Sequence, residues 1–296
     1  MRKSTVAVLF ATLLASTAGA QQKTDEECRA AGNSTQREPS WWAAACGHTI
    51  PASARQVVKR PNVIGDAAFH VNLRATPDAL QTFALPSASA ATTVASVGAQ
   101  VFYGLEHDNA TGVMYGLDNA TLQLGTVDKT TAAFTSLLTI TGMPVGASTT
   151  GLAFQSWAAG PVYVSTATDL YTINTTTGAA TLVGPFGTTL MIDIAINNAG
   201  QMYGHDIGSD SLYSINTATG AATLIGLTGH LANFAQSIDF DKSTGILYGW
   251  IYIGTGVNQF VQFDLATGAG TILNTPTNIE AEGALLPVAL ERFSVE

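Results

Sequence analysis

The chain has 296 residues, a formal net charge of −9 and only 11% charged side chains. So sparse a set of Lys and Arg speaks against a nucleic-acid footprint and against docking on an anionic membrane surface. The length suits one large all-β domain, and abundant Thr, Ala and Gly with little Lys and Glu favour strands and turns over helices.

Residues 1–20 read as a secretory signal peptide. Arg2 and Lys3 precede an apolar Val6–Leu14 core, and Ala18-Gly19-Ala20 forms an A-x-A-like cleavage site before Gln21. The apolar run is too short to span a bilayer. Its removal takes the formal net charge from −9 to −11 and predicts a secreted, periplasmic or otherwise extracellular protein. Residues 21–60 form an N-terminal cap or extension holding Cys28 and Cys46. Export favours a Cys28–Cys46 disulfide; the alternative, a pair of free or metal-binding thiols, has only His48 nearby and makes a poor zinc signature. Trp41-Trp42 in this segment either plugs the cap onto the main domain or forms an exposed wedge.

From residue 61 to 296 the chain is repetitive. Leu170–Gly184 (LYTINTTTGAATLVG) and Leu212–Gly226 (LYSINTATGAATLIG) agree at twelve of fifteen positions. Weaker copies begin at Leu80, Leu122 and Phe260, so successive units start 42 or 48 residues apart. That period is the length of a four-stranded propeller blade and about twice a β-solenoid rung. Within a unit, Leu-Tyr-x-Ile-Asn is a strand, Thr-x-Thr-Gly a turn whose glycine takes positive φ, and Ala-Ala-Thr-Leu-Val-Gly the returning strand. Upstream lies a tyrosine strand (Val113–Gly116, Val162–Val164, Gln201–Gly204, Ile246–Gly249) and before it an apolar one (Gly151–Phe154, Asp193–Ile196, Ser237–Phe240).

The prediction is an all-β, five-bladed propeller. Four blades fall at residues 99–145, 146–187, 188–229 and 230–277. The fifth is split, with an outer hairpin at 79–98 and an innermost strand near Glu282–Leu286, so that N- and C-terminal strands clasp the ring and remove its open edges. A sixth blade would have to come from residues 50–78, where Ala67–Leu73 supports a single strand.

The repeat phrase, with Gly-x-Leu/Met-Tyr-Gly upstream, resembles exported bacterial β-propeller repeat proteins of domain-of-unknown-function families, and more loosely the quinoprotein and YVTN-type propellers. The resemblance covers residues 79–290, departs at Leu80 and Leu122 where the Thr-Gly turn is lost, and implies a fold without an activity.

Aligning the innermost strands brings Thr150, Asp193, Ser237 and Glu282 to comparable places around a central channel, with Gln236 and Glu280 beside them. Such carboxylates either accept hydrogen bonds from strand ends, or hold Ca²⁺, or serve as general acid and base. Asp239 reads as facing away. Glu106, His107 and Asp108, with His205 and Asp206, read as a second cluster on connections after the tyrosine strands, either capping turns or ligating a metal. No zincin, nucleophile-elbow, P-loop or dinucleotide motif occurs, so no catalytic residue is assigned. The sequons at Asn33, Asn109, Asn119 and Asn174 read first as turn chemistry. Three functions stay open: a non-enzymatic module binding a protein or glycan partner, a metal-assisted hydrolase or lactonase with channel carboxylates, and a structural cell-envelope element.

Overall fold

A computed structural model describes residues 67–86, 88–233 and 237–285. The signal sequence, the cap with Cys28 and Cys46, Asn33 and Gln236 lie outside these residues. Among the described residues twenty strands form five antiparallel four-stranded sheets, a five-bladed β-propeller.

The strands are β1 (Ala67–Asn72), β2 (Ala79–Ala84), β3 (Thr92–Ser96), β4 (Phe102–Asp108), β5 (Val113–Asp118), β6 (Gln123–Val127), β7 (Phe134–Thr139), β8 (Thr149–Ala153), β9 (Val162–Thr166), β10 (Asp169–Ile173), β11 (Ala180–Pro185), β12 (Met191–Ile196), β13 (Met202–Asp206), β14 (Ser211–Ile215), β15 (Ala222–Leu227), β16 (Ser237–Asp241), β17 (Ile246–Tyr252), β18 (Asn258–Phe263), β19 (Gly270–Asn274) and β20 (Ala281–Leu285). Four blades are consecutive meanders, β4–β7, β8–β11, β12–β15 and β16–β19. The fifth has the order β20-β1-β2-β3, with the C-terminal β20 innermost and antiparallel to β1 from Ala68↔Leu285 to Asn72↔Ala281. The clasp is therefore as the sequence predicts, and Ala67–Asn72 supplies the second strand of the fifth blade, not the start of a sixth.

The innermost strands β4, β8, β12, β16 and β20 each touch the next, and β20 returns to β4, which closes the ring. The apolar core is divided in the same way, into five clusters that each sit between adjoining blades. The cluster between β16–β19 and the clasped blade packs Trp250, 1% exposed, with Phe83, Phe260 and Tyr248. Burial of such aromatic surface, at about 25 cal/mol per Å², is the dominant force pressing blade to blade.

The repeated phrase has a second use beyond forming a hairpin. In the Thr-Gly turn, Asn174 Oδ1 accepts from the Thr176 and Thr177 N–H groups, and Gly178 takes φ 75°. The same turn then meets the preceding blade: Ala180 N–H donates to Thr141 O, Ala222 N–H to Phe186 O, and Gly270 N–H to Thr228 O, 2.8–3.0 Å apart. The phrase is thus both a turn and a blade-to-blade latch.

Candidate functional site

All five inner strands run in the same direction around the axis, so the channel has a distinct N-terminal and C-terminal end. At the C-terminal end it is barred. Lys242, directly after β16, extends its Nζ to Glu106 Oε1 of β4 at 2.8 Å and to the Phe154 carbonyl after β8 at 2.9 Å. The lysine and glutamate side chains are 3% and 2% exposed. Strands β4 and β16 are not ring neighbours, so this ion pair crosses the channel. Asn198 of a fourth blade donates to the Lys242 carbonyl. Burial works against the Lys242 charge, but the carboxylates of Glu106, Asp239 and Asp108 outweigh it and hold the ammonium above its ordinary value. Burial pushes the Glu106 carboxyl up, and Lys242 opposes that push.

At the N-terminal end the channel opens into a cavity of about 360 Å³. Tyr103, Thr150, Leu190, Ile192, Glu280 and Glu282 come to it from the inner strands and their approaches, and Leu73, Ser148 and Ala167 complete the wall. Among these lining residues only Thr150 and Glu282 are buried. The Thr150 hydroxyl lies 3.0 Å from that of Ser165. Glu282 is 2% exposed and its Oε2 has no hydrogen-bond partner.

Asp193 is held differently. Its Oδ1 accepts the Ile194 N–H at 2.7 Å, and its Oδ2 accepts the Ile238 N–H and the Ser237 hydroxyl, both at 2.9 Å. The Ser237 hydroxyl also lies 3.2 Å from the Gly283 carbonyl, so it links β12, β16 and β20. Burial raises both carboxyls well above their ordinary values. For Asp193 the three donors oppose this; for Glu282 the neighbouring Asp193 and Glu280 add to it. Of the four channel residues predicted, the structure thus places Thr150 and Glu282 on the cavity wall and joins Asp193 to Ser237 by a hydrogen bond.

The second predicted cluster is distributed differently. Glu106, His107 and Asp108 lie within the innermost strand β4, not on a connection after a tyrosine strand. His205 and Asp206 end β13, two blades further on. Glu106 is taken up by Lys242 and by the Phe154 and His107 N–H groups. Asp108 accepts the Ala110 and Trp157 N–H groups, and Asp206 those of Thr189, Leu190 and Ser209. Among the described residues no group of three or more His, Cys, Asp or Glu side chains is arranged to hold a metal ion.

Asp239 corrects the sequence reading. It stands two positions after Ser237, so alternation puts both on one face, and its Oδ1 accepts the Phe240 N–H just as Asp193 accepts that of Ile194. Lys242 had no place in the sequence reading. Its signal was available: a lysine in a lysine-poor chain, directly after Asp239 and Asp241 at the end of an inner strand.

No protein-family model matches the chain, and no curated protein matches it. The fold is similar to that of a chain in a crystal structure of a nidogen/laminin complex, with TM-score 0.50 and 12% identity over 74% of this chain and 98% of that one. A virginiamycin B lyase from Staphylococcus aureus (TM-score 0.43, 12% identity, 70% and 66% covered) is also similar. So is a PQQ-bound aldose sugar dehydrogenase from Streptomyces coelicolor (0.42, 13%, 63% and 70%). At these identities the first likeness supports the propeller fold, and the other two support nothing further. Among the described residues no helix is long and apolar enough to cross a membrane.

Proposed function

We propose that this chain is an exported propeller of the repeat type it resembles, acting as a non-enzymatic module that binds a protein or glycan partner on the face where the channel opens. The observation that carries this is the asymmetry of the channel. Lys242 and Glu106 bar one end, while the other widens into a concave, largely apolar cavity with a few polar groups, the usual form of a recognition site. The nidogen/laminin structure is itself a complex, and its likeness lends this reading support through fold analogy alone. The test is a screen of the secreted chain against glycan and surface-protein panels, with Leu73→Arg as a variant that obstructs the mouth. Binding by the wild type that Leu73→Arg abolishes supports the reading. Binding untouched by that variant, or a chain that binds nothing while turning over a substrate, overturns it.

One observation favours a second reading, hydrolysis of an ester or lactone assisted by Ca²⁺ or Zn²⁺. Asp193 and Glu282 are neighbouring carboxyls in unlike surroundings, one with three donors and one with none, which is how acid and base roles are separated. Divalent metal in the purified protein and a thermal shift on adding either ion would support it; neither being seen would retire it.

A further inference from the structure

The channel-mouth cavity carries more than a general binding role. Its wall is apolar along Leu73, Ala167, Leu190 and Ile192, its polar groups include two carboxyls, and among the described residues no Lys, Arg or His side chain lines it. Glu280 already has a cation nearby, since Arg74 Nη1 stands 4.0 Å from its Oε2. Glu282 has none, and its buried Oε2 is unpartnered. Burying a polar oxygen without a donor is costly, and a native fold that does so on a cavity wall leaves a place for a ligand donor.

We infer that this cavity is a receptor for a primary ammonium group on an apolar stem, with Glu282 receiving the ammonium and the apolar wall receiving the stem. The inference rests on the reading of this face as the binding face. Burial, Asp193 and Glu280 raise the Glu282 carboxyl, so an arriving ammonium, which favours its charged form, couples binding to proton release. The groups that act on Glu282 are Asp193 across the channel and Glu280 beside it; Arg74 and Asp78 act on Glu280, and Glu106 on Asp193. All but Arg74 are acidic, so the surroundings favour a cation over an anion. The ammonium could be a lysine side chain of a protein partner or a free amine; the chemistry is shared.

Isothermal titration calorimetry of the wild type at pH 6, 7 and 8 tests this, with n-butylammonium, n-butanol and Nα-acetyl-lysine N-methylamide as probes. The expected result is saturable binding of butylammonium whose affinity climbs by up to about tenfold per pH unit while the free Glu282 is protonated. Butanol, of the same shape without the charge, should bind roughly tenfold more weakly or not at all. Glu282→Gln should lose the pH slope, and Glu280→Gln should keep it. Tighter binding of the blocked lysine assigns the source to a protein side chain; tighter binding of butylammonium assigns it to a free amine. Equal affinity for butanol and butylammonium, an affinity independent of pH, or no binding of either amine overturns the inference. Partner capture that Leu73→Arg abolishes, found together with no amine binding, would sink this inference alone and leave the proposed function standing. Should Glu282→Gln fail to fold, the wild-type pH slope and the butanol comparison decide the matter by themselves.

Discussion

Single side chains decide which end of this propeller is open. Lys242 and Glu106 are each almost without solvent, so each depends on the other for its charge. Removing one partner of a buried pair leaves an uncompensated charge and costs about 3–5 kcal/mol, whereas replacing both by apolar groups is often neutral. Lys242→Met should therefore lower stability by about that amount in urea unfolding, and the double variant Lys242→Met, Glu106→Leu should recover most of the loss. A double variant no more stable than the single one would mean that the pair's other contacts, to Phe154 O and the His107 N–H, matter more than its charge. Glu282 behaves in the opposite sense. Its folded carboxyl titrates well above the ordinary 4.5 because of burial first, then Asp193 and Glu280. A raised acid contributes stability at low pH and loses it as pH rises toward its folded value. Glu282→Gln should therefore be more stable than wild type at pH 8 and close to it at pH 4.5, as thermal unfolding at the two pH values would show.

At the level of strands and turns, the repeated phrase owes its form to two demands at once. Gly220 takes φ 78° in its turn, and a Cβ there would overlap the Gly184 carbonyl of the preceding blade. Gly245 takes nearly the same φ, 74°, in a turn with nothing within 4 Å. Alanine at Gly245 should cost only the left-handed penalty, about 1 kcal/mol, while alanine at Gly220 should cost about 2–3 kcal/mol because the blade contact must also shift. Equal losses in urea unfolding would show that the latch tolerates displacement. This double constraint is also why the fold could be read from the sequence. The Leu-Tyr-x-Ile-Asn strand, the Thr-Gly turn and the latch recur in order, so the period, the blade count and the tyrosine strands could all be read. The clasp could be read because Glu282–Leu286 was an apolar strand left over at the far end. The site was harder. Asp193, Ser237 and Glu282 follow from aligning inner strands, since each sits at a repeat-equivalent position; Thr150 does not, because the register puts Gly151 at that position and Thr150 one residue before it. The placement of Glu106–Asp108 did not follow, because β4 belongs to the eroded Leu122 repeat, where the lost Thr-Gly turn removes the alignment. The Lys242 bar did not follow either: it joins blades that are not neighbours, and no repeat period encodes a contact across the axis.

Over the whole molecule, buried titratable groups make stability depend on pH. His70, His107 and His205 are buried, and burial above all lowers each to about 4 from the ordinary 6.5. Between pH 6.5 and 4 the unfolded imidazoles take up protons that the folded ones refuse, so each removes stability as pH falls, by about 1.4 kcal/mol per pH unit. Asp193 and Glu282, raised in the folded state, act the other way above the ordinary carboxyl range. The histidines and the raised acids thus pull stability in opposite directions as pH changes, and a single histidine variant isolates the first of the two. His205 offers the clean check. Both its ring nitrogens lack hydrogen-bond partners and its ring packs 6.1 Å from that of Phe263, so His205→Phe removes a titration without breaking a bond. Denaturant melts from pH 4.5 to 8.5 should show this variant gaining about 2 kcal/mol over wild type at pH 5 and little above pH 7. An acid limb of unchanged slope would mean that His205 is already protonated within the fold, and that the ring between these two blades carries a charge.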